Sequence, residues 1–218
     1  MAVSSDIDVT NIALSKLGET NINDFTTSKT GQTAKLLYDA LVEAVLGMHI
    51  WAFARKKVSI GGPLGGADIP VNEWENAYQL PTVPPLVKLL AVYNDSGTFA
   101  PPLKRYERFE DKLFTNETTE MFVDYIFLPA ENKWPGWFIL LIATALAADL
   151  AVPITGQVSK KTALTLEAWG SPAQGRRGGL YKEAAFADSI ENPTKTIQTS
   201  PGDLVLARIG SSQGDLVR

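Results

Sequence analysis

The chain has one histidine, His49, and no cysteine. Those two counts limit the chemistry at once. A multi-histidine metal site cannot be built within one chain, and a Ser-His-Asp triad would have to use that single imidazole. Disulfides, a thiolate nucleophile and a Cys-type zinc site are excluded. His49 closes a helical pattern, where an imidazole acts most simply as a cap on the last carbonyls. No metal, cofactor or catalytic residue is expected.

Carboxylates are more plentiful. They cluster at Glu73/Glu75, at Glu107/Glu110/Asp111 and at Asp124. A glycosidase needs only two carboxyl groups flanking one bond, so a carbohydrate-active protein is one reading of them. The other is surface solvation and ion pairing with Lys104, Arg105 and Arg108. Arg55, Lys56 and Lys57 form the densest basic run. In a strand, Arg55 and Lys57 share a face that could meet a partner or passing DNA, whereas an edge strand uses such lysines to block pairing. Gly175-Arg176-Arg177-Gly178-Gly179 resembles a phosphate loop only superficially. It lacks the Lys-Ser/Thr that follows the glycines, and no strand precedes it, so it reads as a cationic loop open to a partner.

These residues must be placed by 218 residues with 45% apolar content and a formal charge of −4. That length suits one large domain or two small ones and excludes disorder of the whole chain. A mildly acidic total argues against non-specific DNA binding by the whole domain. Residues 1–10 have no basic start and carry two Asp, unlike a secretory signal. The greasiest run, 138–148, is too short to cross a bilayer and reads as a buried helix, so no membrane partner is expected.

Apolar spacing predicts a helix over 8–17, capped by Asp6 or Asp8 and ended by Gly18, and a second over 32–49. In the second, Ala34, Leu37, Leu41 and Val45 form one stripe, flanked by Leu36, Ala40, Ala44 and Met48. So wide an arc suggests packing on two neighbours. Strands are expected at 54–60, 76–80, 86–93, 103–109 and 120–128, with Met121, Val123, Tyr125 and Phe127 on one face. Helices resume at 134–152, stopping at Pro153, then at 158–169 and 180–190. The fold class is thus α+β. An antiparallel helical bundle is made by residues 1–53 and 133–191, a β-rich module is inserted at 54–132, and 192–218 form an extended C-terminal tail. His49, Trp51 and Phe53 mark the junction between bundle and module.

Several of these landmarks, in order, resemble one family. They are Val9-Thr-Asn-Ile-Ala-Leu-Ser-Lys-Leu-Gly18, then Ile22, then His49-Ile-Trp51-Ala-Phe53-Ala54 running into Arg55-Lys-Lys57. Trp74-x-x-Ala77-Tyr78-x-Leu80-Pro81, Val123-Asp-Tyr125, the 134–150 helix closing in Leu-Ala-Ala-Asp, and Pro153-Ile-Thr155 follow. The series, over about residues 6–190, resembles the tail tubular protein A family of tailed phages, which are head-to-tail adaptors. The chain departs from that pattern at Ile50, where the family has Pro, and at 171–179, where glycines break a helix the family keeps whole.

The resemblance implies a structural virion protein of the neck or tail, assembled in the host cytoplasm, and not an enzyme. Its partners would be itself, in a ring commonly of twelve, the portal protein and the distal tail nozzle or tube protein, with transient contact to genomic DNA passing through. Twelve copies would carry roughly −48, and a negative lumen would let DNA slide. Arg176 and Arg177 in the loop, and Ile197, Leu204, Leu206 and Ile209 in the tail, are the expected portal or subunit contacts. A solvated terminus has no use for such hydrophobes, so the tail is expected to order by docking.

Overall fold

Between Gly136 and Leu150 the only charged residue is Asp149. Such a segment can be stable in water only as a helix covered on nearly every side. In a computed structural model, which describes residues 3–65, 73–97, 100–175 and 177–191, it forms helix α3 (Gly136–Leu150). Its covering comes from both ends of the chain. Helices α1 (Asp6–Leu17) and α2 (Lys29–Met48) precede the strands, and α4 (Val158–Trp169) and α5 (Gly179–Glu191) follow; all four pack on α3. Phe138, Leu141, Ile142 and Leu146 of α3 are wholly buried among Val9, Leu14, Val45, Leu46 and Trp51.

The helix ends correct several sequence expectations. Ser5, not Asp6 or Asp8, caps α1. Its hydroxyl accepts from the Asp8 N–H at 3.2 Å, while the Asp8 carboxylate accepts from the Ser5 N–H, so the acid acts from inside the first turn. Gly18 ends α1 in the left-handed conformation, as expected. α2 begins three residues early because Ser28 caps it through the Gly31 N–H. Pro153 does not stop the helix after α3. The backbone widens into a π-type turn over Ala151–Thr155 and stops only at Gly156. A wider turn relieves the clash of the proline ring with the preceding carbonyls. The helical run 136–155 is long and apolar enough to cross a membrane, but 61% of its most apolar window is buried against the other helices.

The inserted strands make two antiparallel three-stranded sheets. The first orders β1 (Arg55–Gly61), β6 (Met121–Phe127) and β3 (Leu86–Tyr93), with β6 central. The second orders β2 (Asn76–Gln79), β5 (Lys112–Thr115) and β4 (Glu107–Phe109). Strand β5 has no counterpart among the expected strands, and the one expected over 103–109 shrinks to β4. Glu110 and Asp111 turn between them, with Glu110 at φ 52°.

Strand alternation gives the first sheet two apolar faces. Met121, Val123 and Tyr125 turn one way, with Leu86, Leu89 and Val92, onto Tyr78, Leu80 and Leu113. Ile126, with Val87 and Leu90, turns the other way into the helical core. The first sheet is therefore a middle layer between the helices and the second sheet.

Among the described residues after α4, the chain comes back against the end of that helix. The Gly178 N–H donates to the Trp169 carbonyl at 2.9 Å. Gly179 has φ 53°, and a Cβ there would lie 2.2 Å from the Glu167 carbonyl oxygen. Replacing Gly179 with Ala is expected to lower stability by roughly 2 kcal/mol or more, because both the backbone conformation and the close approach are lost. Urea unfolding of the full chain followed by circular dichroism measures it.

Candidate functional site

The densest set of interactions lies where α2 gives way to β1. Trp51 is completely buried, and its indole N–H donates to the Val45 carbonyl at 2.9 Å. Ring centroids of Phe138, Trp137, Tyr181 and Phe53 lie 5.2–6.2 Å away. His49 meets Trp51 edge-on at 4.7 Å. The expected junction residues His49, Trp51 and Phe53 are thus brought together. Trp51 joins α2, α3 and α5, and so ties the first half of the chain to the second.

His49 stands at the C-cap position of α2, as expected, but its side chain is turned to α5. Its imidazole faces Asp188 of α5, with Nε2 3.5 Å from Oδ2. Asp188 is almost fully buried, and both its oxygens accept from the Ala52 N–H, at 2.9 and 3.1 Å. Burial pushes the Asp188 carboxyl above its ordinary value, against the opposing pull of Ala52 and His49. Sequence analysis overlooked Asp188. One signal was present: Tyr181, Ala184 and Asp188 share a phase, which puts a carboxylate on the buried stripe of α5.

The basic run is largely engaged within the chain. The Arg55 guanidinium grips Asp124 of β6 through Nε, at 2.9 and 3.0 Å, and through Nη2. The Asp124 side chain is only 4% exposed. A buried carboxylate held this way needs its partner, since removing one member strands a charge. Lys57 rests over the Tyr93 ring at 4.1 Å. Among the described residues Arg55 is therefore a fastener between strands more than a free cation, and Lys56 and Lys57 stay exposed.

The remaining carboxylates are dispersed in their roles. Glu107 accepts from the Trp74 indole at 2.9 Å. Asp111 accepts from Gln79, which holds its carboxyl below the usual range. No metal-binding group of three or more His, Asp or Glu occurs among the described residues. Arg177 stands exposed in the α4–α5 turn. Arg176, Ile197, Leu204, Leu206 and Ile209 lie outside the described residues, as does the rest of the expected tail.

One cleft of about 290 Å³ opens between α2, the start of β3 and the segment after β6. Val42, Leu86, Val87 and Leu128 line it together with Asp39, Glu43 and Glu131. Glu131 accepts from the Tyr38 hydroxyl at 3.1 Å, and burial raises the Tyr38 pKa. Lys35 is occupied by Asp6 and Asp39.

The outer faces carry more apolar surface than the sequence suggested. α2 packs on α3 and also touches β3, but its flank Leu36, Ala40, Ala44 and Met48 is exposed, with Leu36 at 74%. The buried side is centred instead on Ala34, Tyr38, Val42 and Val45. Val158, Leu166, Phe186 and Ile190 are likewise exposed on α4 and α5. No family model and no curated protein matches the chain.

Two outcomes follow for the junction. Trp51→Ala should cost about 3–5 kcal/mol in chemical denaturation, the usual range for emptying a large aromatic site. Asp188→Asn tests the buried carboxyl. A folded pKa above the ordinary 3.8 means that the folded state holds the proton more tightly than the unfolded one. This group's contribution to stability is then fullest below pH 3.8 and falls as pH rises through the raised value. Asp188→Asn removes that fall, so the variant should gain on the parent with rising pH across this window. Unfolding curves of both chains at a series of pH values measure the difference.

Proposed function

We propose that this chain is a head-to-tail adaptor of a tailed phage, a structural virion protein that assembles as a ring between portal and tail and carries no reaction. The observation that carries this reading is the bare apolar surface. Twelve large apolar side chains are exposed among the described residues. Single exposed hydrophobes are ordinary, but rows of them along helix faces are what a protein–protein contact requires. The order of sequence landmarks supplies the choice of partner: further copies in a ring of twelve, the portal protein, and the nozzle or tube protein beyond.

On this reading the helices at both ends of the chain form one antiparallel bundle that packs side by side with its neighbours. The β-rich module offers the distal platform, and residues 192–218 supply contacts to the portal or a neighbouring subunit. DNA passes through the lumen without being held.

The carbohydrate-active alternative has less support. The Asp188 carboxyl is pushed upward in pKa, the property wanted in a general acid, but it is buried against the Ala52 N–H. Cosedimentation with the portal ring from the same genome, followed by imaging, tests the adaptor reading. A ring of this protein on the portal is expected. A chain that stays free of the portal, or that cleaves glycan, would overturn it.

A further inference from the structure

Two helices leave an apolar face bare, and their flanking charges are opposite. On α2, Leu36, Ala40 and Ala44 recur every fourth residue on the side away from α3, and Leu36 is 74% exposed. On α4, Val158, Thr162 and Leu166 repeat that spacing, with Val158 65% and Leu166 53% exposed. Both helices pack on α3 with their other sides.

For antiparallel packing, charge decides which faces can meet. Along α2 the row is flanked by Asp39 and Glu43, and along α4 by Lys161. Asp39 is shared with Lys35, while the Glu43 and Lys161 side chains make no ion pair or hydrogen bond among the described residues. The 100° step per residue puts these charges on the same side of each row, viewed from the helix N-terminus. Same-side positions meet when two helices run antiparallel. An α2 face on another α2 would then set Asp39 and Glu43 against their copies, and α4 on α4 would oppose two lysines. α2 on α4 sets acid against base.

We propose that α2 of one copy packs antiparallel on α4 of the next, with Leu36, Ala40 and Ala44 against Val158 and Leu166, and with Glu43 beside Lys161. The inference rests on the ring reading above and gives it a contact. Because two different patches meet, the interface is heterologous, and each added copy leaves one face of each kind open until the ring closes.

The lack of native cysteine makes the test direct. Full-length Glu43→Cys and Lys161→Cys chains are mixed in equal amounts, assembled on the portal ring and oxidised. Disulfide-linked dimer should form at least about tenfold above either variant alone, and Leu36→Asp in both chains should cut it by about tenfold while circular dichroism stays unchanged. If the wild-type chain rides on the portal but the mixture gives no more dimer than the single variants, the α2–α4 contact is wrong and the ring reading survives. If the wild-type chain neither self-associates nor cosediments with the portal, the ring reading fails and takes this contact with it.

Discussion

The burial of α3 is the constraint from which the rest of the fold follows. A helix that is apolar on nearly every side loses stabilisation wherever water reaches it, at about 25 cal/mol per Å² of surface left uncovered. The segments before and after it are each too short to surround it alone. α1 and α2 must therefore come from one side of the β segment, and α4 and α5 from the other. The strands then have to leave and return beside the same helix. Trp51 and Asp188 fix that departure, since one side chain from each half of the chain is buried at the elbow.

Two carboxylates are buried at joints between elements, and each is satisfied differently. Asp124 is held by the guanidinium of Arg55 across β1 and β6. Asp188 is held by a backbone N–H and faces an imidazole. The first arrangement keeps a full charge beside a full opposite charge. The second leaves the charge poorly compensated, and its carboxyl titrates upward. Acidic residues in both places lock the strand that leaves α2, so its direction relative to the helices is fixed from two sides.

The sequence was most legible where period and burial agree. α4 runs from 158 to 169 as its spacing predicted, and β6 shows the alternation of Met121, Val123 and Tyr125 into one core. It was least legible where a polar residue did the work of an apolar one, or where a turn used unexpected residues. β5 was missed because Glu110-Asp111 lacks the glycine or asparagine that usually marks a tight hairpin. The cap of α1 was misassigned because three neighbouring residues can all accept from the first turn. Asp188 was overlooked because a single acid on the buried stripe of a short helix carries little signal of its own. The wide apolar arc on α2 does meet more than one neighbour, since α2 packs on α3 and also touches β3, yet part of the arc stays bare: the sequence pattern does not say which of its residues the chain's own elements cover.

That last ambiguity bears on assembly. A hydrophobic pattern records which side chains must leave water, and it does not record which chain covers them. α2 and α4 are both seated on α3, so the angle between their outward faces is set by one packing unit and not by a linker. On the adaptor reading this matters more than the strength of any single contact. A heterologous interface closes into a ring only if each copy turns the next by the same fraction of a circle; a variable angle gives open filaments or mixed sizes. The rigid elements are α3 and the aromatic junction at Trp51, and the exposed rows sit on helices fastened to them. On that reading the interior of this protein would do more than stabilise one chain: it would hold the angle from which the number of copies follows.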